Sequence, residues 1–350
     1  MPNSKDILII DLDNTLTVED GVTNYAKKTV NMPVAIAVKN AISLGYESKI
    51  FSARNMRSLK GDLNKIESIT RPIAELWLKE KKINYDELIL GKPWCGYNGW
   101  YLDDKNISIE DFIFKFSGPY WNKTVTILIP FYNEEDNIFD THTAQKKIER
   151  LLNVVQYIYI DNGSSDETLV KLKKISNLDE KVKVISIKKN IGYGYGVKKG
   201  LLETSSDLVL LNHSDLQFDA YSFFQTNSSS LSGLNQALSI LPKRLNRSLL
   251  DRFNSSLLRL ILSIIYFRKI SDFNGQPKLI SVENIKNINT LPNDFCIDLE
   301  LYNLCRKKAI ILPIIQKRRT FGQSSWSGKL SNRIQIFLKY VTHALKNRAR

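Results

Sequence analysis

Cysteine is scarce in this chain: there are three, at positions 95, 296 and 305 of 350 residues. Their odd number and wide spacing argue against a disulfide framework and against a cysteine-rich zinc site. A reducing cytoplasm suits such a sequence. Long apolar runs are also missing. No stretch reaches the ~20 residues that cross a bilayer. The nearest, LLRLILSIIYF from Leu257 to Phe267, is short and interrupted by Arg259. Its length suits a core helix, and its composition also suits a helix lying on a membrane surface. No signal-peptide pattern precedes the first strand pattern, MPNSKDILIID. Negative charge is in deficit: 50 Lys and Arg face 36 Asp and Glu, for a net charge of +14. An anionic partner follows, whether nucleic acid, an acidic membrane face or a phosphorylated substrate. No helix-turn-helix, zinc-finger or RNA-binding signature is present, so nucleic acid is not the expected one. Internal repeats are absent as well.

What is present is strand and helix in alternation. Hydrophobic residues make up 43% of the chain, enough for ordinary cores, and the length predicts two domains. Apolar runs at 7–11, 48–53 and 87–91 read as strands, with helical patterns at 33–46 and 73–82 between them. FSGPYWNK then supplies turn residues near position 120. A second series follows, with strand patterns at 124–131, 157–161, 182–187 and 207–212. Alternation of this kind predicts an α/β fold with parallel sheets in both halves. From about 236 onward, basic and apolar residues mix in patterns that suggest helices. The expected domains are 1–118 and 119–330, followed by a basic amphipathic helix at 331–350.

The first series carries acids and cations at its strand ends. In IIDLDNTLT, Asp11 and Asp13 follow a buried strand, and alternation sends both carboxylates to one face. Open parallel sheets place ligand sites at the carboxyl ends of strands. One such carboxylate can attack phosphorus while its neighbour carries a proton. Ser52, at the second strand end, can bind a phosphoryl oxygen, and Lys92 after the third can neutralise it. Asp103 and Asp104 can complete an oxygen shell around Mg²⁺. Singly, each has a plain alternative, such as a helix-capping turn at Asp13 or a surface turn at Asp104.

This set, DLDNT with Ser52, Lys92 and Asp103-Asp104, resembles the haloacid dehalogenase superfamily of phosphatases, in particular its small capsule-biosynthesis members. The resemblance implies a haloacid dehalogenase-like Rossmannoid sheet with Asp11 as nucleophile, Asp13 as general acid/base and Mg²⁺ as cofactor. About 40 residues separate the first motif from the second, and the second from the third. That leaves little room for a cap domain, so an open site and a bulky phosphorylated small molecule or glycan substrate are expected.

The second series has an acidic cluster, Glu134 to Asp136, after the strand TILIPF. The turn NGSSDET follows Asp161, which could accept hydrogen bonds from a base; turn and helix-cap chemistry would equally use these residues. The glycines of NIGYGYGVKKG fail the dinucleotide fingerprint, because the third position after Gly192 and Gly194 is Val197. A glycine-rich turn can still admit close approach of a phosphate or sugar. In LLNHSDLQFD, strand-like alternation would place His213, Asp215 and Gln217 on one face. An imidazole, a carboxylate and an amide oxygen, with diphosphate oxygens, can hold Mg²⁺ or Mn²⁺. His213 would also serve as a hydrogen-bonded core histidine.

In order, PFYNEE, DNGSSDET, NIGYGYGVKKG, HSDLQFD, DFNGQPKL, PNDFCIDLE and FGQSSWSGK resemble family 2 glycosyltransferases of the GT-A fold, over 124 to about 328. Within them, the dolichol- and polyprenyl-phosphate sugar synthases look most similar. The resemblance assigns Pro130, Tyr132, Glu134, Asp161, Gly192 and Asp215 to a nucleotide diphosphate sugar. It assigns the basic segment with Arg244, Arg247 and Arg252 to an acceptor phosphate. Asp272 is then expected near the acceptor, with Asp294 and Asp298 as further choices for a general base. The reading is a bifunctional enzyme of surface-polysaccharide assembly in the cytoplasm, peripheral on the inner membrane face. It combines a Mg²⁺-dependent phosphatase with an inverting transferase acting on polyprenyl phosphate. The rivals are direct transfer to a capsule or lipopolysaccharide glycan with the front domain as scaffold, and a nucleic-acid-binding protein.

Overall fold

The computed structural model describes residues 6–20, 22, 24–96, 101, 105–232, 239–246, 249–285, 287–317, 319 and 330–348. The chain divides into two compact units, Met1–Asn122 and Lys123–Arg350.

In the first unit, β1 (Ile7–Ile10), β2 (Glu47–Ser52) and β3 (Glu87–Leu90) form a parallel sheet in the order β1-β2-β3. The helix Met32–Ser43 opens with a proline in its first turn, where the missing N–H costs nothing. The helix Arg71–Glu80 buries Ala74, Trp77 and Leu78, and Ser108 caps Ile109–Ser117 by accepting the Asp111 N–H. Leu12, Leu16, Val38, Ile50 and Trp77 meet in one apolar core. Both helical patterns expected between these strands are present, with ends shifted by one to three residues.

The second unit is a seven-stranded sheet in the order β10-β8-β9-β7-β4-β5-β6. Its strands are β4 (Thr124–Phe131), β5 (Asn153–Asp161), β6 (Val182–Ser186), β7 (Leu208–Leu211), β8 (Ser239–Arg244), β9 (Lys278–Ser281) and β10 (Ala309–Ile314). β4 pairs in parallel with β5 and β7, and β5 with β6. β9 runs antiparallel to both β7 and β8, while β10 returns parallel to β8. β7 is buried along its whole length and reads as one apolar run, as a strand covered on both faces does.

The expectation of helices from 236 onward holds for Leu249–Ile265, Ile297–Cys305 and Leu330–Asn347, and is corrected where β8, β9 and β10 are strands. β8 ends on the pair Lys243-Arg244, and β10 holds Pro313 at a sheet edge, where a strand tolerates it. The helix Leu330–Asn347 belongs to this unit: Tyr340 and Ala344 share a core with Leu258 and Leu262 of the helix Leu249–Ile265. Among the described residues, no helix is long and apolar enough to cross a membrane.

Candidate active sites

In the first unit, β1 stops at Ile10 and the chain stays extended at Asp11 and Asp13. Leu12 between them is fully buried, which leaves both carboxylates about a third exposed. Asp11 Oδ1 accepts the Leu12 N–H at 3.0 Å, and its Oδ2 lies 3.4 Å from Lys92 Nζ. Burial raises the Asp11 pKa above its ordinary value, while Lys92 pulls the other way. Lys92 follows Gly91, which takes φ 89° at the turn after β3, and its ammonium lies 4.3 Å above the Tyr101 ring.

Asp13 is held by Arg54, a residue whose role the sequence alone did not disclose. Nε donates to Oδ2 at 3.2 Å and Nη2 to Oδ1 at 2.7 Å, a two-pronged contact. The guanidinium is buried and stacks 4.3 Å from the Tyr25 ring. Its signal lay in SARN, an arginine two places after Ser52. The Ser52 hydroxyl is itself fully buried and accepts the Arg54 N–H at 3.1 Å.

These groups form a site of paired acids and cations, suited to a phosphoryl group. The described residues alone do not fit the Mg²⁺ expected here. Both oxygens of Asp13 are taken by Arg54, and no cluster of three Asp, Glu, His or Cys donors occurs among the described residues. Asp103 and Asp104 lie outside the described residues.

In the second unit, the loops after β4 and β5 are laced together. Ser164 Oγ accepts from Asn133 N at 3.0 Å, Asn133 Oδ1 from Ser165 N at 2.9 Å, and Thr168 Oγ1 from Glu134 N at 3.0 Å. Asp161 is buried and accepts the Ser164 N–H, so it shapes the turn it precedes. Pro130 lies on β4, and Tyr132 just beyond it is exposed. Glu134 accepts from Asn137 and from Arg319. Burial raises its pKa, with both donors opposing.

The glycines of 190–200 fill a structural role. A Cβ on Gly192 would lie 2.4 Å from the Asn293 carbonyl, and one on Gly194 equally close to the carbonyls of Pro292 and Asp294. The close approach expected for a phosphate or sugar at these glycines is occupied by the 292–294 backbone. Asp294 also turns inward to the chain, accepting the Cys296 N–H at 3.0 Å.

β7 ends at Leu211, and the turn that follows places Leu216 at φ 57°. The strand alternation expected to align His213, Asp215 and Gln217 is therefore absent. Gln217 Nε2 donates to the Lys317 carbonyl at 3.4 Å, a bond that does not use its amide oxygen. His213 packs edge-on to Tyr193 and Phe218 at 5.8 and 6.1 Å. Burial lowers its pKa, while Asp215 and Asp298 act in the opposite direction. No cluster of three such donors occurs here either among the described residues, so His213 and the partly exposed Asp215 would hold a divalent cation only with oxygens supplied by a diphosphate.

Two buried ion pairs lie within the electrostatic reach of His213. Lys278 Nζ is 2.6 Å from Asp298 Oδ1, which also accepts from Gln276 Nε2 at 3.3 Å. Arg244 donates three hydrogen bonds to Asp272, from N and Nε to Oδ2 and from Nη2 to Oδ1. These contacts make Asp272 the anchor of Arg244. The sequence reading overlooked Lys278; its one signal was a charged residue at the head of an apolar strand.

Beside this pair opens a cavity of about 420 Å³, lined by Lys243, Arg244, Arg252, Ser256, Arg259 and Asp272 among others. Arg252 and Arg259 come from one face of the helix Leu249–Ile265, with Arg259 Nη2 donating to Ser256 Oγ at 2.9 Å. Four cations against one acid suit an anion. Arg247 and FGQSSWSGK lie outside the described residues.

Residues 126–224 match the family model described as glycosyl transferase family 2. The second unit carries a family 2 glycosyltransferase domain. Over 214 residues, the chain is 26% identical to CsbB of Bacillus subtilis (strain 168), named as a glycosyltransferase; the match covers 58% of this chain and 62% of that protein. Over 99 residues, it is 32% identical to the undecaprenyl-phosphate 4-deoxy-4-formamido-L-arabinose transferase of Yersinia pestis (strain Pestoides F), covering 27% of this chain and 30% of that one. The chain thus spans less than two thirds of the length of these relatives. Among solved structures, glucosyl-3-phosphoglycerate synthase from Mycobacterium tuberculosis is 17% identical, covering 71% of this chain and 86% of its own, with a TM-score of 0.48. A solved target protein from Vibrio cholerae is 38% identical, covering 31% of this chain and 87% of its own, with a TM-score of 0.30. The match at 126–224 spans the glycosyltransferase domain from β4 through β7 to His213 and Asp215.

Proposed function

We propose that the second unit transfers a sugar, with inversion, from a nucleotide diphosphate sugar to a polyprenyl phosphate. The observation that carries the acceptor is the basic cavity beside the Arg244–Asp272 pair. A phosphate monoester is already ionised and needs little general base, which agrees with an Asp272 engaged on both oxygens. The relative named for undecaprenyl phosphate supports the same acceptor class. Asp215 and His213 would hold a Mg²⁺ or Mn²⁺ ion, which when bound offsets the charge of the leaving diphosphate. Lys243, Arg244, Arg252 and Arg259 orient the acceptor.

Transfer of radiolabelled sugar from nucleotide sugars to extracted polyprenyl phosphate tests this reading. Removing Arg252 and Arg259 together is expected to raise the acceptor KM roughly a hundredfold or more, since each charge-assisted contact is worth about 1.5–3 kcal/mol. The donor KM should hold. Label appearing only in glycan, never in lipid, would refute the acceptor assignment.

For the first unit we propose phosphate ester hydrolysis of the haloacid dehalogenase type. Asp11 attacks phosphorus as the ester P–O bond breaks, and Asp13, once substrate competes for Arg54, gives the departing alcohol its proton and then takes one from the water that hydrolyses the aspartyl phosphate to inorganic phosphate; Lys92 and Arg54 neutralise the phosphoryl oxygens. The contacts of Asp11 with Lys92 and of Asp13 with Arg54 support it. Asp11→Asn is expected to lower release of inorganic phosphate from phosphorylated sugars at least a hundredfold, as loss of a nucleophile does. Equal release by both proteins would remove Asp11 from that role.

A further inference from the structure

The acids and cations of the first unit's site are bordered by aromatic rings. Lys92 Nζ lies 4.3 Å from the centroid of the Tyr101 ring, Arg54 Cζ 4.3 Å from that of Tyr25, and Arg57 Cζ 5.5 Å from that of Trp94. Each is a cation resting on an aromatic face. Lys92 and Arg54 are the same cations that pair with Asp11 and Asp13. Trp94 follows Lys92 by two residues, and the Tyr101 hydroxyl donates to the carbonyl of Pro93 between them. Tyr101 is also within electrostatic reach of Asp11. Tyr25 comes from the loop after β1, which is pinned in place: Asp20 accepts from Val22 N at 3.0 Å and Thr29 N at 2.9 Å, and Trp77 Nε1 donates to the Lys28 carbonyl at 2.9 Å. All three rings therefore stand on loops beyond the carboxyl ends of β1 and β3, where open sheets bind ligands. Trp94 and Tyr101 leave 43% and 49% of their surface in solvent, although rings of this size are ordinarily well buried. They do not serve the phosphoryl group itself, because the negative face of an aromatic ring repels an anion. They are placed for what the phosphate is attached to, and the cations behind them fix their orientation before a ligand arrives.

We propose that Trp94, Tyr101 and Tyr25 form a leaving-group subsite, which selects phosphate monoesters whose alcohol carries a ring over acyclic ones. The inference deepens the phosphatase reading above and rests on it for the hydrolytic step alone. A sugar ring offers a C–H face and a nucleoside a π face. Both stack on Trp and Tyr, and an acyclic alcohol has neither. With the phosphoryl group at Asp11 and Lys92, the ring of the leaving alcohol lies against Tyr101 and Trp94.

The test compares glucose phosphate, adenosine monophosphate and glycerol phosphate as substrates of the full chain, with release of inorganic phosphate as the readout. At least one ring-bearing ester is expected to exceed glycerol phosphate in kcat/KM by roughly tenfold or more, and which of the two does so identifies the ring. Trp94→Ala with Tyr101→Ala should reduce that ratio to about threefold or less, through a raised KM for the ring-bearing ester. Trp94→Phe with Tyr101→Phe keeps both aromatic faces and should retain the preference. Glycerol phosphate hydrolysed as well as both ring-bearing esters, a preference that survives the double alanine change, or equal losses on all three esters would each overturn the subsite and leave the phosphatase reading standing. If no ester is hydrolysed, calorimetry of the Asp11→Asn protein with the same three esters decides. Tighter binding of a ring-bearing ester, lost when Trp94 and Tyr101 are both alanine, would defeat the phosphatase reading and leave the subsite standing. Equal binding of all three, or none, would defeat both.

Discussion

Replacing Lys278 by Met is expected to destabilise the second unit by about 3–5 kcal/mol, the usual cost of leaving one member of a buried ion pair alone. Lys278 is fully buried at the head of β9, and its ammonium lies 2.6 Å from Asp298 Oδ1. Burial lowers the Lys278 pKa despite the opposing pull of Asp298. Desolvation therefore outweighs attraction, so the pair is more a constraint than a source of net stability. Two consequences follow. The double substitution Lys278→Met with Asp298→Leu should recover most of the loss, because no charge is left unpaired. The pH dependence should also change sign. In the wild type, the depressed pKa means the folded state binds fewer protons than the unfolded one in the window below 10.5. This group's contribution is then present above that window and lost as pH falls through the folded value. In Lys278→Met, the lone buried carboxylate resists ionisation, so stability should be highest in acid and fall as pH rises toward neutrality. Chemical denaturation with hydrogen exchange read at the β9 amides measures all three. A midpoint unchanged in Lys278→Met would show that the pair carries no structural load.

The same pair marks where the sequence ceased to be legible. β1 to β7 are visible as apolar runs between turn residues, because each holds consecutive or alternating apolar residues and its charges sit mainly toward the strand ends or on exposed positions. β9 begins with a lysine, and only a partner twenty positions later in the chain, Asp298, makes its burial tolerable. No local rule discloses that. β8 and β10 each contain a proline, and β8 ends in two cations, features that depress a strand reading. In the candidate sites, Asp11, Lys92, His213 and Asp215 were visible as charged or polar residues following buried strands. The contacts that define their chemistry were not. The Arg54–Asp13 and Arg244–Asp272 forks join residues 41 and 28 positions apart. The glycines at 192 and 194 answer to a backbone a hundred residues on. Alternation also failed past the end of β7, where a left-handed Leu216 turns the chain.

Asp215→Asn is expected to lower sugar transfer by about a hundred- to a thousandfold, or about 3–4 kcal/mol of transition-state stabilisation. The size follows from the donor set. Glu134 is engaged by Asn137 and Arg319, and Gln217 can offer only a neutral amide oxygen. His213 is a neutral donor, so Asp215 supplies the protein's negative charge toward a cation there. Structure should survive the change, because the hydrogen bond that Asp215 Oδ1 accepts from Gln217 N at 3.2 Å is available to an asparagine oxygen. The loss should therefore appear as weakened metal dependence, with an unaltered thermal midpoint. Sugar nucleotide binding measured without metal should be nearly the same in both proteins. The imidazole adds a pH signature. Because burial lowers the His213 pKa below 6.5, its neutral, ligating form persists as pH falls through 6.5, and metal-dependent transfer should persist with it. Transfer by Asp215→Asn at the wild-type rate and with the wild-type metal requirement would move the cation site elsewhere in the fold.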